Sequence, residues 1–266
     1  MKDSVVLYPT NPVASYDYFG TVVSMDGDKM AVGAIYDDTA GDDAGAVYTY
    51  TWSVVGGWVA DAAVLYPTNS DAGYDVFGRV ISMSGDKMAV GVRGDDAGGT
   101  NAGAVYTYTW SGAGGWVADS VVLYPTNPVA DGDRFGAAIS MSGDKLVVGA
   151  NGDDTGGSKA GAVYTYKWSD AGWVVDSVVL YPTNPVAVDD NFGNYISMGG
   201  DKMAVCAYFD DTVGTDAGAV YTFSDRARDP NTTPSLDIMT VISISMVPLA
   251  ILVVCTIGVA TWDYVN

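Results

Sequence analysis

The chain has 266 residues, a length that suits one large domain with a short appended segment. All 32 acidic residues are aspartate and only 12 residues are basic, so the net charge of −20 argues against binding to nucleic acid or anionic lipid headgroups. Histidine is absent, which removes the usual general base and the commonest metal ligand.

One sequence pattern occurs four times along the chain. Its copies start at residues 7, 65, 123 and 180, a spacing of 57 or 58 residues. Each copy contains Leu-Tyr-Pro-Thr-Asn, then Phe-Gly, a Gly-Asp-Lys turn and Gly-Ala-Val-Tyr-Thr followed by Tyr or Phe. A fixed period of this size is typical of repeat proteins, in which each unit buries its apolar face against its neighbours.

The second copy illustrates the strands that we predict within a unit. Residues 77–83 and 88–92 are predicted strands joined by the Gly-Asp-Lys turn, and a Gly/Asp-rich loop follows. Residues 103–110 and 116–124 form a predicted hairpin that ends at Pro125, because proline cannot donate to a ladder. Four antiparallel strands in a repeated unit of this size indicate a propeller blade.

The chain ends bear on whether the predicted propeller closes. The segment that begins at Asp3 matches the fourth strand of a unit, and the last unit stops after its third strand at Phe223. The N-terminal strand could therefore complete the last blade, giving an all-β propeller of four four-stranded blades without free edges. The alternative is a fragment or one part of a larger ring. The predicted organisation is a propeller over residues 1–224 (repeats of about 3–60, 61–118, 119–175 and 176–224), a stalk over 225–237, a transmembrane helix over 238–260 and a tail over 261–266.

The repeated motifs resemble a known family. Phe135-Gly136, Gly143-Asp144, Val148-Gly149-Ala150 and Gly161-Ala162-Val163-Tyr164 resemble the FG-GAP repeat of integrin α-subunit propellers and of bacterial and algal FG-GAP proteins. The resemblance implies a propeller that works in adhesion or in protein–protein interaction. The integrin calcium loop is not reproduced, because its position holds only a short Asp-Gly-Asp-Lys turn or an equivalent.

Aspartates concentrate in two sets of loops that strand direction assigns to one end of the predicted blades. Each unit has two adjacent aspartates in the loop between its second and third strands, and a further Asp two residues before Phe-Gly. We predict that these three side chains bind calcium weakly in each unit, because hard oxygen ligands suit this ion. The alternative is that these aspartates cap turns by accepting backbone N–H bonds. The candidate ligands are Asp17, Asp37, Asp38, Asp75, Asp95, Asp96, Asp133, Asp153, Asp154, Asp190, Asp210 and Asp211.

Tryptophan pairs flank three equivalent hairpins at the opposite end of the predicted blades. The pairs are Trp52 with Trp58, Trp110 with Trp116, and Trp168 with Trp173. Stacked indoles can bind sugar rings, which suggests a carbohydrate-binding module. Cross-strand contacts that stabilise the hairpins are the alternative explanation.

Residues 238–260 carry no charge and are long enough to span a bilayer as one helix. Trp262 and Tyr264 follow at the position of an interfacial aromatic belt. The sequon at Asn231 favours an extracellular or lumenal propeller, whereas Arg226 and Arg228 favour a propeller on the cytosolic or stromal side. We expect the last strand to end away from the Asp loops, so that these loops face away from the membrane.

These observations lead to one functional prediction and two alternatives. No Ser-His-Asp set, phosphate loop or placed general base is recognised, so the sequence predicts that the chain is not an enzyme. The leading prediction is a membrane-anchored protein-interaction or adhesion module whose Asp-rich end binds a basic or cation-bridged partner, with calcium as the one candidate cofactor. The alternatives are an accessory subunit of a larger membrane complex, such as a photosynthetic or respiratory one, and a carbohydrate-binding module.

Overall fold

The computed structural model describes residues 6–10, 15–68, 74–112, 115–126, 131–183 and 188–224. The predicted stalk, transmembrane helix and tail lie outside the described residues, as does Asn231. Within the described part, no helix has the length and apolarity needed to cross a membrane.

The described residues form four antiparallel sheets, one for each predicted repeat. Unit 1 contains β1 (Phe19–Asp26), β2 (Lys29–Ala34), β3 (Ala46–Ser53) and β4 (Gly57–Leu65). Unit 2 contains β5 (Val80–Ser84), β6 (Lys87–Val92), β7 (Ala104–Trp110) and β8 (Trp116–Ala118). Unit 3 contains β9 (Phe135–Ser142), β10 (Lys145–Ala150), β11 (Ala162–Ser169) and β12 (Gly172–Leu180), and unit 4 contains β13 (Phe192–Gly199), β14 (Lys202–Ala207) and β15 (Ala219–Ser224).

The predicted all-β class and the four repeats are confirmed, and in each sheet the strands lie side by side in chain order. Within unit 2, the predicted fourth strand is shorter than expected, because β8 ends at Ala118. Beyond it, the Asp119 N–H donates to the carbonyl oxygen of Thr107 at 2.9 Å, and an isolated bridge joins Val105 and Leu123. Unit 4 has three strands among the described residues, and β15 pairs with β14 alone.

The N-terminal segment does not form the predicted closing strand within the described residues. Residues 6–10 are not assigned to a strand, and residues 1–5 lie outside the described part. Leu7 packs against the core of unit 1, as Leu65 and Leu123 pack against the cores of units 2 and 3. Leu7 thus occupies against unit 1 the place that Leu65 and Leu123 occupy against units 2 and 3, while closure of a ring is not seen in the described part.

Units 1 to 3 are built around their second and third strands, which lie in the middle of the sheet and are largely buried on both faces. Strands in that position read as continuous apolar runs, as in the Leu-Val-Val-Gly-Ala segment of β10. The phenylalanine of Phe-Gly lies edge-to-face against the tyrosine of the third strand; for Phe135 and Tyr164 the ring centroids are 5.2 Å apart. Both side chains are almost fully buried.

Consecutive units pack through one repeated interface. We call the side of a unit that carries Phe-Gly its leading face, and the side that receives the Phe-Gly of the next unit its trailing face. The Phe135 N–H donates to the carbonyl oxygen of Ala102 at 2.8 Å, and the Met141 N–H donates to Ser82 Oγ at 3.0 Å. The same bonds join units 3 and 4, where Phe192 N–H donates to Ala160 O and Met198 N–H to Ser140 Oγ, both at 2.9 Å.

The leading face of unit 1 and the trailing face of unit 4 are not covered by another unit among the described residues. Val23 and Met25 on β1 are 56% and 60% exposed, whereas Ile139 and Met141 at the equivalent positions of β9 are each 7% exposed. The four units are therefore joined in chain order with two open faces at the ends of the described array.

Candidate functional site

The loops between the second and third strands lie beside the segments that precede the first strands. Within unit 1 the Tyr36 N–H donates to the carbonyl oxygen of Asp17 at 3.2 Å. Between units, the Tyr74 N–H donates to the carbonyl oxygen of Asp42 at 2.8 Å. The two loop sets therefore form one continuous end of the molecule, as predicted, and we call it the aspartate face.

The first aspartate of each pair is buried and holds its loop together. Asp37 is fully buried; its Oδ2 accepts a hydrogen bond from the Tyr48 hydroxyl at 2.7 Å and its Oδ1 accepts one from the Thr39 N–H at 2.9 Å. Equivalent Asp–Tyr bonds, each 2.8 Å long, join Asp95 to Tyr106, Asp153 to Tyr164 and Asp210 to Tyr221. A charge-assisted bond between a loop and the central strand beneath it fixes the loop in every unit.

These tyrosines titrate above their usual range. The pKa of the Tyr48 hydroxyl is raised first by burial and then by the hydrogen bond to Asp37 and its negative charge. Burial followed by the neighbouring Asp also raises the pKa of Tyr106, Tyr164 and Tyr221. A phenolate beside a buried carboxylate is unfavourable, so these hydroxyls stay protonated and act as donors.

The second aspartate of each pair is exposed and caps the same loop from outside. Asp38 Oδ1 accepts a hydrogen bond from the N–H of Asp43, five residues later, at 2.8 Å. The other three follow the same pattern: Asp96 accepts from Asn101, Asp154 from Lys159 and Asp211 from Asp216, each at 2.6 Å. These are the turn-capping bonds of the alternative explanation, and they leave the second oxygen of each carboxylate at the surface.

The aspartates two residues before Phe-Gly are buried beside the first members of the pairs. Asp17, Asp75, Asp133 and Asp190 are at most 2% exposed. The charges of Asp17 and Asp37 both raise the pKa of Tyr48, so the two carboxyl groups lie near one hydroxyl. The structure thus gathers two of the three predicted ligands of each calcium site in the interior, while the third caps the loop at the surface.

Among the described residues, no three His, Cys, Asp or Glu side chains are grouped so that they could hold a metal ion. Calcium binding by the candidate ligands therefore stays a prediction. No role was assigned to Tyr48 and its equivalents from the sequence. Their constant separation of 11 residues from the buried Asp in all four units is the signal that could have revealed the pairing.

The opposite end of the units carries the Gly-Asp-Lys turns and the Trp hairpins. The hydrogen bond and charge of the neighbouring lysine hold the pKa of Asp28 and Asp201 below the usual range. The tryptophans of each pair face each other directly across their hairpin, with ring centroids 5.2–5.4 Å apart in edge-to-face geometry. The cross-strand explanation of these pairs is therefore confirmed, because the indole rings contact each other.

A small cavity lies between units 1 and 2 at this end. Its volume is about 170 Å³, and its lining includes Thr49, Asp61, Trp110 and Trp116. Asp61 Oδ1 accepts a hydrogen bond from the Thr51 hydroxyl at 2.8 Å. Asp61 Oδ2 and Trp116 Nε1 are buried, and neither has a hydrogen-bond partner within the described part of the chain. One acceptor and one donor thus remain available beside an apolar wall.

The repeat matches a known protein family. The model of the FG-GAP repeat matches residues 11–50, 54–108, 127–166 and 184–223. The chain belongs to the FG-GAP repeat family. Each match covers most of the first three strands of one sheet, and the second match also includes β4 of unit 1, so this FG-GAP protein carries one propeller-like repeat per unit. No curated protein sequence matches it.

Solved structures give a distant likeness. Two structures of an exo-beta-1,3-galactanase from Phanerochaete chrysosporium with beta-1,3-galactotriose are 12% identical at a TM-score of 0.43; they cover 78% and 79% of this chain and 47% and 48% of their own. AofleA from Arthrobotrys oligospora is 14% identical at a TM-score of 0.38, covering 76% of this chain and 53% of its own. This chain spans about half the length of these proteins.

The prediction that the chain is not an enzyme is withdrawn; two of these distant structures are those of an enzyme. The prediction relied on the lack of a recognised catalytic motif, and a repeat scaffold can carry catalytic residues without one. A likeness this distant gives no reaction, substrate or catalytic residue to the FG-GAP chain.

Proposed function

We propose that this FG-GAP protein is an interaction module that docks a basic or cation-bridged protein partner on its aspartate face. The observation that carries the proposal is the fourfold loop framework, in which a buried Asp–Tyr bond fixes each loop and an exposed Asp lies at its surface. Rigid loops lose little conformational freedom on binding, and rows of carboxylates attract basic surfaces over long distances.

The direction of the last strand supports the proposed orientation of this face. Ser224, the last residue of β15, pairs with Lys202 beside the Gly-Asp-Lys turn, at the end of the sheet opposite the aspartate loops. The chain therefore leaves unit 4 away from the aspartate face. We propose that residues 238–260 anchor the protein in a membrane as a single span and that the aspartate face points away from the lipid.

The docking proposal is tested by removing charge from one end at a time. A fourfold variant, Asp38→Asn with Asp96→Asn, Asp154→Asn and Asp211→Asn, removes four charges but keeps the Oδ1 acceptors that cap the loops. Its matched control, Asp28→Asn with Asp86→Asn, Asp144→Asn and Asp201→Asn, removes four charges from the opposite end. The full chain and both variants are purified from their native membrane in mild detergent, and proteins that copurify are followed at rising salt.

We expect a partner protein that copurifies with the unchanged chain and dissociates as the salt concentration rises. The aspartate-face variant should lose this partner, and the control variant should retain it. Loss from both variants, or from neither, would contradict the proposal. A partner that survives high salt with both variants would indicate the alternative, an accessory subunit held in a membrane complex by residues 238–260. Calcium is tested in parallel: no change in melting temperature at millimolar calcium would contradict the predicted sites.

Membrane topology has its own test. The proposed extracellular or lumenal location predicts that Asn231 is glycosylated, since the sequon is then accessible to the transferase. An Asn231→Gln variant should migrate faster on a denaturing gel than the unchanged chain, and the chain should stay with membranes after alkaline extraction. Equal migration of the two together with membrane retention would favour a propeller on the cytosolic or stromal side.

The cavity between units 1 and 2 supports a second candidate function, the binding of a small neutral sugar. Its size is close to that of engineered cavities of about 150 Å³ that accept benzene, so it has room for one ring. Asp61 Oδ2 can accept a bond from a sugar hydroxyl, and Trp116 Nε1 can donate one.

Isothermal titration of the full chain with a panel of neutral monosaccharides tests this candidate. The expected result is binding that Asp61→Asn weakens at least tenfold, while Asp176→Asn, an exposed aspartate on β12, leaves it unchanged. No heat with any sugar, or equal binding by both variants, would contradict sugar binding in this cavity.

A further inference from the structure

The second strand of a unit carries a glycine in units 1, 2 and 3 but a cysteine in unit 4. Gly33, Gly91 and Gly149 are the fifth residues of β2, β6 and β10, and Cys206 is the fifth residue of β14. Its position within the repeat, and not its thiol, is what distinguishes unit 4.

The three glycines lie where the backbone of the following unit approaches most closely. A Cβ on Gly33, Gly91 or Gly149 would come closer than 3.0 Å to the carbonyl oxygen of Gly78, Gly136 or Gly193, a separation that real Cβ atoms do not show. The opposing atom is backbone in all three cases, so it cannot turn aside as a side chain could. The trailing face of each inner unit therefore requires glycine at this position.

The trailing face of unit 4 keeps most other features of this interface. Ser197 occupies the position of Ser82 and Ser140, whose hydroxyls accept backbone N–H bonds from the next unit. Lys202 occupies the position of Lys87, whose Nζ lies 3.3 Å from Asp144 of the next unit. A groove of about 380 Å³ remains where a following Phe-Gly would lie, lined by Cys206, Phe209, Gly218 and neighbouring residues.

The leading face of unit 1 keeps the matching features. It carries Phe19 and Gly20, the same pair that docks at each inner interface, and Asp28 takes the place of Asp144. The two open faces would therefore fit each other in the geometry used three times within the chain, except at Cys206. There the Cβ would collide with the carbonyl oxygen of Gly20.

We propose that Cys206 makes unit 4 a terminating unit, because its Cβ prevents the trailing face from receiving the leading face of unit 1, whether from the same chain or from a second copy. The predicted ring closure and head-to-tail stacking of copies are excluded by the same collision. The trailing face of unit 4 therefore cannot bind another FG-GAP unit. Cys206→Gly removes the obstacle and leaves the serine, lysine and groove in place.

Sedimentation velocity and thermal melting of the full chain in mild detergent test the proposal on the unchanged protein, Cys206→Gly and Cys206→Ala. Cys206→Gly should either associate head-to-tail, doubling or further increasing the particle mass, or close on itself, with faster sedimentation at unchanged mass and a rise in melting temperature of several degrees. Cys206→Ala keeps the Cβ without the thiol and should behave as the unchanged chain. Adding Phe19→Ala to Cys206→Gly should reverse either change.

Each remaining outcome contradicts the proposal. These outcomes are a Cys206→Gly variant that does not differ from the unchanged chain, a Cys206→Ala variant that behaves like Cys206→Gly, and an unchanged chain that already associates through Phe19. A reciprocal experiment guards against a folding artefact: Gly149→Ala places the same Cβ in an established interface and should lower the melting temperature by several degrees. Its control, Gly199→Ala, has open space around the added Cβ and should not. A neutral Gly149→Ala would also overturn the proposal.

Discussion

Unit 3 and unit 4 differ in how their faces are covered by neighbouring units but not in their aspartate loops. Unit 3 lies between two neighbours, and Asn151, at the position that Tyr208 holds in unit 4, is 7% exposed. Unit 4 has one neighbour among the described residues, and Tyr208 is 56% exposed. Yet the Asp–Tyr bond inside the aspartate loop is 2.8 Å long in both units. The loop framework is thus local to a unit, whereas the burial of its faces depends on neighbours.

The largest difference between the two units is expected in their cores. Leu146 on β10 is fully buried, while Met203 at the same position of β14 is partly exposed. Leu146→Ala should lower the free energy of unfolding by about 4 kcal/mol and Met203→Ala by about 2 kcal/mol, because the second site loses less contact. Urea denaturation measures both. Equal losses would mean that Met203 is covered in solution as fully as Leu146.

The loops should not show this difference. Asp153→Ala and Asp210→Ala each leave a tyrosine hydroxyl and a backbone N–H without their acceptor. Each variant should lose about 3 kcal/mol of unfolding free energy, since a buried unsatisfied group costs about 1–3 kcal/mol. Asp154→Ala, which removes an exposed cap, is the control and should lose about 1 kcal/mol. A much smaller loss for Asp210→Ala than for Asp153→Ala would show that the loop framework also depends on neighbours.

The sheets were predictable from sequence because each unit repeats strand patterns, turns and Phe-Gly at fixed spacing. The bond between Asp37 and Tyr48 was not, since alternation along β3 does not reveal which tyrosine points towards a loop 11 residues away. Likewise, position 149 requires glycine because the carbonyl oxygen of Gly193 in the next unit lies too close for a Cβ. The spacing of residues in the sequence does not reveal that distance. The aspartate face was placed correctly from strand direction, but its division into buried and exposed carboxylates required the structure.

A smaller contrast is expected between two serines of the interface. Ser140 Oγ accepts the N–H of Met198 across the junction of units 3 and 4, whereas Ser197, its equivalent in unit 4, is exposed on the open face. Ser140→Ala should lower the unfolding free energy by about 1 kcal/mol, the typical net value of one hydrogen bond, and Ser197→Ala should change it by less than about 0.5 kcal/mol. A comparable loss from Ser197→Ala would place a partner on that face and argue against termination by Cys206.

The least conspicuous effect concerns alkaline pH, and it should be shared by both units. The pKa of Tyr164 is raised by burial and then by Asp153, with smaller contributions from Tyr181 and Asp133; that of Tyr221 is raised by burial, Asp210 and Asp190. Because the folded pKa exceeds the unfolded one, the stabilisation is fully present below about pH 10 and is lost as pH rises towards the folded pKa.

Unfolding free energy measured by urea denaturation from pH 8 to pH 12 should therefore stay level up to about pH 10 and then fall. Each buried tyrosine contributes about 1.4 kcal/mol per pH unit to that fall, because the folded chain keeps a proton that the unfolded chain releases. Tyr164→Phe and Tyr221→Phe should each reduce the slope by that amount. A slope unchanged in Tyr221→Phe alone would mean that its hydroxyl ionises freely, and the loop of the last unit would then be looser than its 2.8 Å hydrogen bond indicates.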